Sequence, residues 1–439
     1  MSTSLITMES PAGSRRWLLA VVGLVLAVAA CIYAFKAAGN ASAILRWREL
    51  IASVARGENV YNEWTKSGSF PYPPFAGLVL WPLTLLPPIA SGIMWFWIKV
   101  GMAAAAIRWS IQLGTADKTR FPLAAMALLL VLISRPMLSD LLHGNINIFI
   151  LFLATAGLVA FRDNRDWLAG VMIALAIAIK VTPALFIPYF AFKRQWRVVA
   201  WSCAGLIVFT FLLPGLFLGF DRTWWLLNSW SSAMIEPYLL DGRIETIQTN
   251  QSLPGVWMRL ATDCPGLELE DGTTRHVNII ELDQRAALWI LKAMIVALVA
   301  WTIRLCRTPT GDRLDIRLTY EFAIVFVAML LISERSWKHH FVVMLLPYAA
   351  VLACGWRAKR GSQFRFWIWA SLAGAFFAMA STSTEIAGWF GNGAGHKYAQ
   401  AYGLFCVSAV LVFVVLSAIL SRAHKAASLT IGSGPATQR

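Results

Sequence analysis

SRPMLSDLLHGNINIFILFLATAGLVAFRDNRDWLAGVMIALAIAIKVTPALFIPYFAFKRQWR, residues 134–197, decides the fold. A polar turn with Ser139, Asp140, His143, Asn145 and Asn147 leads into an apolar run that ends at Arg162, Asp163, Arg165 and Asp166. A second apolar run carries a single Lys180, followed by Val181-Thr182-Pro183, and closes on Lys193, Arg194 and Arg197. An ammonium at mid-membrane costs roughly 2.5–3.5 kcal/mol on insertion scales, so such a lysine either snorkels to the interface or serves a site. Length favours the site. Stretch 168–192 is basic at both ends, and the positive-inside rule then asks for an even number of crossings. A helical hairpin bent at 180–183 meets that demand, with arms of about 12 residues, or roughly 18 Å each. Arms that short do not span, so the bend belongs in a protein-lined cavity, where irregular backbone is tolerated.

The rest of the chain fits a membrane setting. Only 14% of its 439 residues are charged and 58% are hydrophobic, against about 25% charged in soluble domains. Several apolar runs approach the roughly 20 residues needed to cross a bilayer. The net charge of +15 does not indicate nucleic acid, because the basic residues cluster in short loops beside apolar runs. The six cysteines show neither a disulfide framework nor a metal spacing.

Residues 1–14 read as a disordered cytoplasmic terminus, 15–421 as one transmembrane domain, and 422–439 as a disordered cytoplasmic tail. Residues 17–35 read as an uncleaved first helix. The first outer loop, 36–73, holds Arg46, Glu49, Glu58 and Glu63. Pro73, Pro74, Pro82 and Pro87 argue for an interfacial or re-entrant segment, which feeds a span at 89–113. Loops 114–121, 162–167, 193–197, 307–317 and 357–365 carry the basic residues and fall on one side with both termini. The largest outer loop is 221–283. With the hairpin counted as two, the expectation is an all-α polytopic bundle of about 12 transmembrane segments.

This topology gathers the polar clusters on the opposite face: the first outer loop, the 140–147 turn, Lys180, Asn250-Gln251 and Lys338-His339-His340. Cations there suit a phosphate, and amides suit sugar hydroxyls. Arg46, Lys180, Lys338, His339 and His340 are the expected phosphate ligands. Tyr72, His143, Asn145, Asn147, Asn250 and Gln251 are the expected sugar contacts. No metal or other cofactor is expected.

Five segments resemble glycosyltransferase family 87 of the GT-C superfamily: Tyr72-Pro73-Pro74 with Pro82 and Pro87, His143-Gly144-Asn145-Ile146-Asn147, Lys180-Val181-Thr182-Pro183, Asn250-Gln251-Ser252, and Trp337-Lys338-His339-His340. The resemblance covers roughly residues 40–350. It implies a GT-C-like bundle in a bacterial plasma (inner) membrane. It also implies an inverting, metal-independent transfer of a mannose-like sugar. The donor would be a polyprenyl-phosphate sugar, the acceptor a lipid or glycan, and the active site would face the extracytoplasmic side among membrane lipids. A carboxylate of the first outer loop would act as base on the acceptor hydroxyl. The family commonly carries an Asp soon after the first helix, whereas residues 40–49 here hold none. Glu49 is the nearest carboxylate, Asp140 the second candidate, and a chain without a base the third reading. On a helix Arg46 would share the face of Glu49. The reading of a different class is a transporter or flippase for a lipid-linked or anionic solute. It would require polar residues along the path to the inner face.

Overall fold

The computed structural model describes residues 12–39, 42–61, 70–116, 121–384 and 395–432. Glu63, Lys118, Arg120 and the first eleven residues lie outside them. The described chain is a helical bundle with one small hairpin, in which Pro265–Glu268 pairs antiparallel with Thr274–His276. Among the described residues, seven helices are long and apolar enough to cross a membrane, and there are also shorter apolar helices.

Two helices form the centre. Ile316–Ile332 is buried along nearly its whole length. The span Lys338–Arg357 starts as a 3-10 helix and continues as Leu345–Arg357, buried throughout its middle. Asn147–Arg162, Pro88–Thr115, Leu123–His143 and the last helix pack around them. Trp17, Leu216, Trp289 and Val296, on the outermost helices, stay exposed. In water that would be costly; on helices of spanning length it marks the lipid-facing side.

Segment 166–192 is the expected broken hairpin. Asp166–Ile179 ends at Lys180, whose backbone is extended (φ −152°, ψ 121°). A 3-10 turn, Thr182–Leu185, with Pro183 in its first turn, and the short helix Phe186–Phe192 complete it. Proline supplies no amide for helix continuation and disfavours helical backbone in the residue before it. Both ends of the hairpin meet at Arg313, which binds the Asp166 carboxylate at 2.5 Å and the Gln195 side chain at 3.0 Å. Asp166–Ile179 is wedged against the following helix Trp196–Ile207. A Cβ at Gly170 would lie 2.5 Å from Trp201 Cβ and 2.7 Å from the Val198 carbonyl, so that approach requires glycine.

The basic loops gather at one end. Arg162 donates to the Leu113 carbonyl at 3.1 Å and Arg357 to that of Gly114 at 3.4 Å. His424 contacts the Leu305 carbonyl at 3.1 Å. The polar turns gather at the other end. The proline-rich segment becomes the eleven-residue helix Pro74–Thr84, too short to span, followed by Pro88–Thr115. One boundary differs from expectation: the last helix runs from Leu404 to Gly432, so the tail expected to be disordered from 422 is helical up to that glycine. Residues 422–431 contain neither Pro nor Gly, and Ala, Lys and Leu among them favour a helix.

Candidate active site

Asp140 is the hub of the polar end. It sits in the last turn of Leu123–His143, wholly buried. Gly144 follows in the left-handed region (φ +69°), which lets the chain reverse within a few residues. Trp95 pins this turn by donating to the Gly144 carbonyl at 3.0 Å. The Asp140 carboxylate then accepts from both sides. Lys99 Nζ approaches Oδ1 at 3.3 Å and donates to the Asp140 carbonyl at 2.7 Å. Asn147 brings its backbone N–H to Oδ2 at 3.1 Å and its side-chain Nδ2 at 2.9 Å. That leaves Asn147 Oδ1 turned outward, where Lys180 Nζ donates to it at 2.6 Å.

A relay thus runs Lys99–Asp140–Asn147–Lys180. An ammonium has three donors, and Lys180 uses one of them on Asn147. Lys180, Asn147, Thr182, Ser333, Ser336 and His340 line a cavity of about 20 Å³, room for about one water.

Histidines close the site. Asn145 Nδ2 lies 3.2 Å from His339 Nε2, and the His143 and His339 ring centroids are 6.0 Å apart. The His339 and His340 centroids are 4.9 Å apart. His339 Nδ1 is buried and has no hydrogen-bond partner among the described residues, where most buried polar groups have one. Lys338 lies within electrostatic reach of both His143 and His339. Tyr72 is buried and near Asp140; burial first, then that carboxylate's field, pushes its hydroxyl pKa up. Its ring belongs to a cluster with Trp47 and Phe70, at centroid distances of 5.2 and 5.5 Å.

The remaining expected site residues fall elsewhere. Asn250 is wholly buried and acts as a clasp: Nδ2 donates to the Glu245 and Glu334 carbonyls, both at 2.9 Å, and Oδ1 accepts from Ser252 and Ser336 N–H, both at 3.1 Å. Gln251 is equally engaged, donating to the Gln248 and Gln400 carbonyls at 2.6 Å and accepting from Phe405 N–H at 3.2 Å. Both join loops to one another and have no donor left for a sugar. Glu49 is exposed on Arg48–Ala55, outside the relay. Trp47 stands between the helix that ends at Arg46 and the one that begins at Arg48 and carries Glu49. Arg48 turns to the Thr84 carbonyl. Glu58 is bound by Arg56 at 2.8 Å, which holds its carboxyl down to about 2.

Lys99 is the residue that sequence reading missed. It stands in the middle of a run read as a plain span, Trp95-Phe96-Trp97-Ile98-Lys99-Val100. The rule that singled out Lys180 applies equally to it.

With this geometry in view, comparison with known proteins is decisive at the family level. The profile of glycosyltransferase family 87 matches residues 70–333. The chain belongs to glycosyltransferase family 87. A polyprenol-phosphate-mannose-dependent alpha-(1-2)-phosphatidylinositol pentamannoside mannosyltransferase of Mycolicibacterium smegmatis is 31% identical over 69% of this chain and 66% of its own length. A polyprenol-phosphate-mannose-dependent alpha-(1-2)-phosphatidylinositol mannoside mannosyltransferase of Mycobacterium tuberculosis is 25% identical over 64% of this chain and 53% of its own. The chain therefore spans between about half and two thirds of these relatives. ArnT from Cupriavidus metallidurans, solved with undecaprenyl phosphate, aligns over 92% of this chain and 78% of its own, with 14% identity and a TM-score of 0.38.

Proposed function

We propose that this family 87 member is an integral membrane glycosyltransferase. It moves a mannose-like sugar from a polyprenyl-phosphate donor to a lipid or glycan acceptor, at the polar end of the bundle. One observation carries the reading: the relay from Lys99 ends in an ammonium presented to a cavity beside His340, in a family whose named relatives use a polyprenol-phosphate-mannose donor. Lys180, His340 and Lys338 suit the donor phosphate. As the acceptor oxygen bonds to the anomeric carbon, the bond from that carbon to the phosphate oxygen breaks and the hydroxyl proton passes to the departing phosphate or to water; the Lys180 and Lys338 ammoniums stabilise the charge left on phosphate, and the His340 imidazole can add a hydrogen bond. Asp140 serves as the anchor that aims Asn147 and, through it, Lys180. With both carboxylate oxygens engaged and no exposure, it is poorly placed to take the acceptor proton, and Glu49 lies outside the relay. The positive-inside rule supports a cytoplasmic basic end and a relay on the extracytoplasmic side, and the bacterial relatives support a plasma-membrane setting.

The deciding experiment incubates purified protein with polyprenyl-phosphate mannose and lipid or glycan acceptors and measures free polyprenyl phosphate. Release that depends on acceptor is expected. Movement of the intact donor across proteoliposomes without any release would replace this reading with a flippase.

A further inference from the structure

Residues 238–246, 258–264 and 281–284 enclose a second cavity, of about 580 Å³, within the usual size range of small-molecule sites. Its charge is opposite in kind to that of the Lys180 site. Asp241, Glu245, Asp263 and Glu281 line it, against Arg243. Glu245 pairs with Arg335 and Asp263 with His276. Asp241 and Glu281 have no ion-pair partner among the described residues.

The wall is held in advance of any ligand. Arg259, wholly buried, donates to the carbonyls of Thr246 at 2.8 Å, and of Ile247 and Asn250 at 3.1 Å, and its Nε reaches the Ala401 carbonyl at 2.7 Å. Fixing a loop before binding removes ordering cost from the binding step. Leu239 and Leu240, between the lining residues Tyr238 and Asp241, are 76% and 77% exposed, and Ile279, two positions before Glu281, is 70% exposed. Such side chains suit a headgroup layer rather than water. Arg335 links the two cavities: it pairs with Glu245 of the second, while its carbonyl lies 3.2 Å from Nδ1 of His340, a residue of the Lys180 cavity.

We propose that this second cavity holds the acceptor's head group, a neutral polyhydroxylated carbohydrate on a membrane lipid, and that its carboxylates turn the anionic donor away. The proposal rests on the glycosyltransferase reading above. Ionised carboxylates only accept hydrogen bonds, which matches sugar hydroxyls, whereas a phosphate would meet like charge. Opposite charge in the two cavities would sort donor from acceptor before either reacts.

Cys264, a free, partly exposed thiol, lines the cavity and reports its occupancy without turnover. The test alkylates the purified full chain with iodoacetamide and follows the Cys264 peptide by mass spectrometry, with methyl α-mannoside, mannose 6-phosphate or Ca²⁺ as probe. Methyl α-mannoside should slow modification about threefold or more; the other two should not. The double variant Asp241→Lys with Glu281→Lys should lose this protection and raise acceptor KM about tenfold, the effect falling on acceptor KM rather than donor KM. Release of polyprenyl phosphate is measured on the same preparation. Release without Cys264 protection, or equal protection by the phosphate or Ca²⁺, overturns the cavity assignment. Protection without release supports a carbohydrate site and overturns the glycosyltransferase reading instead.

Discussion

Two buried charge networks stand at opposite ends of the bundle. At the basic end Lys193 pairs with Glu321 at 2.7 Å and also donates to the Cys306 carbonyl, at 3.3 Å, and to that of Thr308. Tyr189 and the Thr308 N–H complete the Glu321 carboxylate at 2.9 and 2.7 Å. All three ammonium donors and both carboxylate oxygens are used, and the network closes on itself. At the polar end Lys99, Asp140 and Asn147 are equally buried, but the series continues to Lys180 and stops at a cavity. The lesson is that buried charge does not by itself mark a site. On the proposed reading an open end does: spare donors at Lys180 and, among the described residues, an unpartnered Nδ1 on His339. The contrast also bears on the transporter reading. Polar side chains do occur at the basic end, contrary to the expectation that they stop at the polar half, but Lys193 and Glu321 hold protein groups and offer nothing to a solute.

The largest effects should come from breaking either ion pair. Removing one partner of a buried pair costs about 3–5 kcal/mol, because the other charge is left uncompensated. Lys99→Met and Glu321→Leu should both lower stability by that order in chemical denaturation. They should differ in activity: the folded fraction of Glu321→Leu keeps its turnover, whereas Lys99→Met loses donor use. A turnover loss in Glu321→Leu as large as in Lys99→Met would erase the distinction. Adding Asp140→Leu to Lys99→Met should recover stability and leave activity lost.

Lys180→Met comes next. A hydrogen bond to a charged group contributes about 1.5–3 kcal/mol, so donor KM should rise about 10- to 150-fold while the melting temperature barely moves. An unchanged donor KM would make Lys180 a snorkelling lysine and leave the polar end as closed as the other. Asn250→Ala should cost about 1–3 kcal/mol of stability through unsatisfied loop groups. A rise in acceptor KM with no stability loss would return it to the sugar-contact role.

The smallest expected effect is a slope with pH. Burial raises the Glu334 carboxyl from 4.5 to about 7; Tyr238 and Arg335 oppose the shift, and Glu245 adds to it. The folded chain then holds more protons than the unfolded chain between about 4.5 and 7, so stability falls as pH rises through that window. Thermal unfolding across it should show the fall in the wild type and a flatter profile in Glu334→Gln. Identical profiles would remove Glu334 from the account.

The sequence by itself determined what depends on runs along the chain. Apolar lengths gave the membrane bundle, the Lys180-Val181-Thr182-Pro183 break gave the bent hairpin, and the spread of Arg and Lys among the loops gave the two ends. The polar turn at 140–147 was legible as a polar cluster for the same reason, since its residues are neighbours in sequence. What joins distant segments was decided only in the tertiary structure. Lys99 meets Asp140 across 41 positions and Tyr189 meets Glu321 across 132. Asn250 clasps Glu334 instead of facing a ligand, and Glu49 stays outside the relay although it lies in the first outer loop. The physical reason is rotation. A helix that is apolar on all sides has no polar face from which to read its orientation, so the partner of a lone buried charge is set by how neighbouring helices pack.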